Sequence, residues 1–201
     1  MRTARQTDAR PGRPREFDEE KALDAAMNVF WRDGYEGASL ANLTQAMGIN
    51  RPSLYAAFGD KEQLFRRVVE RYENGPAAYV TDALKEPAAR AAIERLLYAV
   101  ADMSTCPENP RGCLMVQCAL GDTCGPVRDL LIAHRGAGER AIQRRLRRAK
   151  AEGDLPPDVN PADVSRYVVT VMRGLCVEAA GGATRRELRK VVRTAMKAWP
   201  E

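Results

Sequence analysis

GYEGASLANLTQAMGINRPSLYAAFGDKEQLF, residues 34–65, is the stretch on which the fold turns. It holds two short apolar-striped segments separated by a glycine. Ser39 opens the first, Leu40, Leu43 and Ala46 face inward at helical spacing to about Met47, and Gly48 breaks it. Asn50 or Arg51 caps the second, and Pro52 falls in its first turn, where a missing N–H costs nothing. Leu54, Tyr55 and Phe58 carry its apolar side and Gly59 ends it. Upstream, Asp18 is an N-cap followed by Glu19 and Glu20, which suit the positive end of a helix dipole. Leu23, Ala26, Met27, Phe30 and Trp31 then make one stripe, giving a helix over roughly 19–33 with Gly34 as its left-handed exit. Downstream, Asp60 caps a fourth helix that Leu64, Val68, Val69 and Tyr72 carry to around Leu84.

Two short helices joined by a glycine-containing turn and braced by a longer one describe a helix-turn-helix unit. Such a unit needs a short helix, open on one side, whose N-terminus faces phosphates while the preceding helix crosses the backbone. Residues 39–58 meet that need. Ser39 puts a hydroxyl and free amides at a helix start, and Ile49 plugs the small core under the Gly48 turn. Asn50, Arg51, Ser53 and Tyr55 offer polar atoms at the start and along the open side of the third helix. Arg51 suits a bidentate guanine contact or a phosphate grip, and Ala56 and Ala57 leave a smooth surface for thymine methyls.

The rest of the chain continues in helical periods. Ile93, Leu96, Leu97 and Val100 mark a fifth helix, CPENPRG at 106–112 a turn, and CLMVQCAL at 113–120 a nearly all-apolar buried helix. A long helix follows from about Pro126 to Lys150, and GDLPPDVNP at 153–161 is a loop. Val164 to Cys176 and Leu188 to Trp199 carry two further stripes. The expected fold is all-α, about nine helices. A flexible basic arm (1–16) leads into a three-helix DNA-binding domain (17–62) and a larger helical domain (63–201), to which the family resemblance given below assigns effector binding and dimerisation.

The 201 residues are 45% hydrophobic and 29% charged, and no run approaches the ~20 apolar residues of a membrane helix. The opening MRTARQTDARPGRPRE has no apolar core of a secretory signal, and five cysteines at irregular spacing fit reduced thiols. These features point to the cytoplasm and to no membrane partner. The net charge of +5 is unevenly placed. Five arginines sit in residues 1–15, residues 16–60 carry Lys21, Arg32 and Arg51 against eight acids, and residues 135–150 carry seven Lys/Arg against Glu139. DNA binding on this pattern uses a few placed cations and an arm, not a uniformly basic face.

Residues 34–65, with GRPREFDEEKALDAAMNVFWRDGY before them, resemble the DNA-binding segment of the TetR family of transcriptional regulators, over about residues 12–72. The resemblance implies that Ser39, Tyr55 and Lys61 hold phosphates and that Asn50, Arg51, Pro52 and Ser53 form the base- and backbone-facing turn of a double-stranded DNA operator contact. It departs at Ala56 and Ala57, where the family often has large polar residues, so readout rests on fewer side chains, with the arm as a minor-groove supplement. It further implies a homodimer through the last two helices, with Val168, Val171, Leu175, Leu188, Val192 and Met196 at the interface. The middle helices would enclose an unknown, largely apolar small-molecule effector, and Tyr79, Tyr98, Met103, Met115, Gln117, Cys118, Tyr167 and Met172 are the lining residues expected. Such a ligand releases DNA by binding the non-DNA state better, typically by about 1–3 kcal/mol.

Cys106, Cys113, Cys118 and Cys124 fall close together in sequence, at spacings that match no zinc module. They read either as small buried residues or as a thiol sensor of oxidants or electrophiles, with Arg111 the cation near Cys113. A cysteine-dependent enzyme is the remote alternative. It lacks support, since His134 is the sole histidine and no paired-carboxylate, phosphate-loop or HExxH motif occurs. No cofactor, metal or catalytic residue is expected.

Overall fold

A computed structural model of the protein describes residues 17–120 and 125–200. The arginine arm and Cys124 lie outside the described residues. Among those described there are ten α-helices, a closing 3₁₀ turn at Met196–Ala198, and no strand. The all-α architecture follows the sequence periodicity.

Helix α1 (Glu19–Gly37) starts at Asp18, whose carboxylate accepts from the amides of Glu20 and Lys21. Gly34 takes φ +71° but with ψ 176°, so it is not the left-handed helix exit expected: it kinks the axis, and one more turn runs to Gly37. Helices α2 (Leu40–Met47), α3 (Arg51–Phe58) and α4 (Lys61–Asn74) follow, each with a side-chain N-cap. The expected fourth helix does not reach Leu84. Gly75 ends α4, because Pro76 has no N–H to continue the ladder and disfavours the helical region for the residue before it. A five-residue helix, α5 (Tyr79–Ala83), occupies the rest. Ala46 is exposed, not inward; Met47 takes the buried place beside Leu43.

Helices α6 (Ala89–Met103), α7 (Leu114–Leu120), α8 (Gly125–Ala151), α9 (Pro161–Ala180) and α10 (Arg185–Ala195) complete the chain. The buried side chains form two clusters. One joins α1, α2, α3 and α4 to Leu114, Cys118, Val127 and Leu131 from α7 and α8. The other lies among α6, the later half of α8, α9 and α10. The division expected after residue 62 falls inside the first cluster, which runs through Leu64, Phe65, Val68, Val69 and Tyr72.

Charge reinforces this packing. Arg71 of α4 is bonded to both Asp24 and Glu20 of α1, and Arg67 reaches Glu19. Three of the eight acids of residues 16–60 (Glu19, Glu20 and Asp24) are thus tied to α4. At the other end Asp102 of α6 accepts from Arg189 and Arg185 of α10. Burial opposes ionisation of Asp102, but the two guanidiniums outweigh it and hold its carboxyl at about 2.

Leu114 is fully buried in the cluster that joins the N-terminal helices to the body. Leu114→Ala should therefore cost about 2–5 kcal/mol. Urea unfolding in a Trp199→Phe background, followed by Trp31 fluorescence and by far-UV circular dichroism, should shift to lower midpoints together. Separate transitions for the two signals would contradict a shared core.

Candidate nucleic-acid interface and central cavity

The α2–α3 pair is built by its caps. Ser39 Oγ accepts from the Asn42 amide at 3.1 Å, starting α2. Gly48 closes it with φ +67°, donating to the carbonyls of Gln45 and Thr44, a conformation that any side chain would strain. Asn50 rather than Arg51 is the N-cap of α3, its Oδ1 accepting from the Ser53 amide at 2.8 Å. That bond engages the Asn50 carbonyl oxygen, and the residue itself is exposed.

Leu54 and Phe58 anchor α3 from below, both buried, while Arg51, Pro52, Tyr55 and Ala56 are exposed. Tyr55, half open at 50%, is not a core residue, and its hydroxyl is available to a ligand. Ala57 is half-buried, and its carbonyl accepts from Arg67 at 3.1 Å, so the smooth outer surface of α3 narrows to Ala56. Lys61 opens α4 with its ammonium 4.4 Å above the Tyr35 ring. Burial lowers its pKa, opposed by the nearby Glu36 carboxylate. Tyr35 itself stacks on Phe30 and meets Phe65 edge-on, which fixes the platform under Lys61. Ser39, Asn50, Arg51, Pro52, Ser53, Tyr55 and Lys61 thus occupy the starts of α2, α3 and α4 and one exposed side of α3.

In the body a cavity of about 160 Å³ lies among α4, α5, α7, α8 and α9. Of the eight lining residues expected, Tyr79, Met115 and Met172 border it. The others do not. Tyr98 lies under the Arg189 guanidinium, and Met103 and Gln117 are half-buried elsewhere. Cys118 is buried in the N-terminal cluster, and Tyr167 lines a separate hollow of about 220 Å³ beside Trp199, its hydroxyl donating to Ala195. The cavity wall instead includes Tyr72, Cys113, His134, Arg173 and Cys176, which distant elements bring together.

Among the described residues, Cys106, Cys113 and Cys118 of the cysteine cluster read from sequence are not assembled as a unit. Cys106 donates to Glu108 at 2.7 Å, which pushes its thiol up, and burial pushes Cys118 up to about 12. Cys113 pairs instead with Cys176 of α9. Arg111 is not its cation. The guanidinium donates to the carbonyls of Ala179 and Ala183 at the end of α9.

The interface expectation also shifts. Val168, Leu175, Leu188, Val192 and Met196 are buried within the chain's own second cluster, and Val171, half-buried, packs against it. The apolar side chains left open on α9 and α10 are Tyr167, Val177 and Val191, at 41%, 42% and 48% exposure.

A capped helix pair with an exposed second member, carried on a helical body with an internal cavity, defines a helix-turn-helix transcriptional regulator. The chain belongs to the TetR family: residues 22–68 match the family model of bacterial regulatory proteins, tetR family, and residues 89–195 that of the tetracyclin repressor-like C-terminal domain. It is 34% identical over 194 residues to the transcriptional repressor ComR of Escherichia coli K12, covering 94% of this chain and 92% of that one. It is 32% identical to BdcR of the same organism, also a transcriptional repressor, over 86% of this chain and 84% of that one. Among solved structures, a cysteine mutant of the TetR family regulator CifR with 26-bp double-strand operator DNA is 46% identical, with a TM-score of 0.88. It is covered over its whole length by 94% of this chain.

Replacing the cap tests how far the exposed helix depends on it. Asn50→Ala should lower stability by about 0.5–2 kcal/mol, while Asn50→Asp, which keeps an accepting oxygen, should recover most of the loss. Denaturant midpoints measure both. Equal losses would show that the cap bond to Ser53 contributes nothing.

Proposed function

We propose that the protein acts in the cytoplasm as a homodimeric repressor that holds an operator with two copies of α3 and releases it when a small apolar effector fills the cavity. The observation that carries this reading is the exposed first turn of α3, where Arg51, Pro52 and Tyr55 stand open above the buried Leu54 and Phe58. The complex of CifR with operator DNA supports it. In this reading Ser39, Tyr55 and Lys61 hold phosphates, while Arg51 and Ser53, with the Asn50 amide, address base edges. A single such helix reads few base pairs, so two copies spaced by a helical turn or a multiple supply the specificity.

Dimerisation through α9 and α10 would cover Val177 and Val191, the exposed apolar residues that the chain's own core leaves out. The cavity touches α4 through Tyr72, and α4 in turn carries α1 and the helix pair, so a ligand there has a direct mechanical route to the DNA-reading end.

Gel retardation with the DNA upstream of the protein's own gene tests the reading. Lys61→Ala or Tyr55→Phe should weaken binding to every sequence, and loss of a charged contact should lower the salt slope by about one. Arg51→Ala should cost about 1–3 kcal/mol at the preferred sequence and relax the preference. Identical losses across all sequences from both sets would overturn the division of roles. Val177→Asp with Val191→Asp should yield monomers in sedimentation and abolish tight retention; an unchanged dimer would place the interface elsewhere.

A further inference from the structure

We propose that the central cavity is a covalent capture site in which Cys113 takes up small apolar carbon electrophiles that react by addition, α,β-unsaturated aldehydes being the class that fits. This rests on reading the cavity as the effector site and names the chemistry it would accept. Of the four described cysteines, Cys113 and Cys176 line the cavity, and Cys113 is the one of that pair that is only partly buried. Tyr72 donates its hydroxyl proton to the Cys113 sulfur at 3.3 Å. Gly112 brings the two thiols together: at φ +84° it lies so near α9 that an added Cβ would meet the Cys176 carbonyl oxygen at 3.0 Å. Donation from the Cys176 thiol chiefly, then from Tyr72 and the amides of Val116 and Met115, lowers the Cys113 pKa against the cost of burial. Cys176, whose own ionisation is pushed well up, stays the protonated partner.

The cavity limits the substrate. Its volume is close to that which holds a benzene-sized body, about 150 Å³. Val80, Val100, Val116, Ile142 and Met172 supply apolar walls. A reaction with no leaving group suits so small a space. The Cys113 thiolate attacks the β-carbon and a C–S bond forms as the C=C π bond breaks. The electron pair passes through the carbonyl to the enolate, and a proton adds at the α-carbon. The thiol's own proton left on ionisation, so the net change is addition of S–H across the double bond, with no oxidant or reductant.

The adduct changes what Tyr72 meets. A thioether accepts a hydrogen bond poorly compared with a thiolate, and the new carbon chain competes for the volume beside the tyrosine. Tyr72 packs edge-on against Trp31 of α1 at 5.0 Å, and α4 carries the Arg67 and Arg71 bonds to α1. Alkylation of Cys113 therefore presses on the support of the helix pair.

Full-length protein treated with 2-hexenal tests this by intact mass and peptide mapping. One adduct is expected, on Cys113, retained in Cys106→Ser and lost in Cys113→Ser. Tyr72→Phe, which keeps the ring in the core, should slow addition about two- to tenfold, the worth of one hydrogen bond. The groups lining the cavity around Cys113 are Tyr72 and Glu73 of α4, Tyr79 of α5, His134 and Arg135 of α8, and Arg173 and Cys176 of α9. The rate should fall about tenfold per pH unit once the pH drops below the lowered Cys113 pKa, and His134→Gln should keep that profile. No adduct, an adduct on Cys106, undiminished labelling of Cys113→Ser, or a profile that vanishes with His134 would overturn the proposal. Amides of α1 and α4 should exchange faster in the adduct, and unchanged exchange would overturn the coupling to the helix pair. Failure of the unmodified protein to retain DNA would instead sink the repressor reading and leave the adduct result standing.

Discussion

The contact on which the molecule depends is the crossing of α1 by α4, with α7 packed against α1 from the body side. Trp31 and Phe30 of α1, Phe65 and Tyr72 of α4, and Leu114 and Cys118 of α7 belong to one buried cluster. The α2–α3 pair brings only Leu43, Met47, Leu54 and Phe58 as fully buried apolar side chains. So small a set cannot offset the conformational entropy of ordering two helices and two turns, at about 1–2 kcal/mol per residue. The pair takes its place from the platform beneath it, and whatever moves α1 and α4 moves α3.

Electrostatics strengthen the same joint and also sort the charges. The N-terminal helices are net negative in sequence, which looks unfavourable for a polyanion partner. Glu19, Glu20 and Asp24 are drawn to Arg67 and Arg71, and Asp18 to Lys21, so their fields are locally neutralised. These pairs are partly exposed and individually add little stability. Arg51, exposed at the start of α3, has no such acid partner among the ion pairs described. Lys61 rests on an aromatic face instead of a carboxylate. The cations left for an anionic ligand are few and placed.

Local signals were legible in the sequence, and non-local ones were not. Asp18, Ser39, Asn50 and Asp60 act within three residues of themselves, so their caps can be read directly, as can the Gly48 turn. The break at Gly75–Pro76 was also local, yet the apolar run through Tyr72 and Tyr79 masked it. Periodicity marks a buried stripe but not which neighbour covers it. Val168, Leu175 and Val192 satisfy a dimer pattern and an internal core equally well, and the chain's own α6 and α8 take them. The cavity is harder still. Tyr72, Cys113, His134 and Cys176 lie on four helices or their approaches, and no spacing rule connects them. Cysteine proximity in sequence grouped Cys113 with Cys118, which packs under Phe30, whereas proximity in space pairs Cys113 with a residue far along the chain.

Tyr72 is where these threads meet, because one side chain belongs to both environments. Its ring is part of the N-terminal core against Trp31, and its hydroxyl reaches the sulfur on the cavity wall. A ligand shifts an equilibrium only by the difference in its affinity for the two states. A coupling of about 1–3 kcal/mol is typical of such regulation. One buried hydrogen bond is worth about 0.5–1.5 kcal/mol, and an edge-on aromatic pair about as much again. A cavity occupant that displaces Tyr72 disturbs both at once, and those two terms alone reach the required size. Coupling between the cavity and α3 then needs no long chain of contacts, since the residue that borders the cavity also packs in the platform beneath the helix pair.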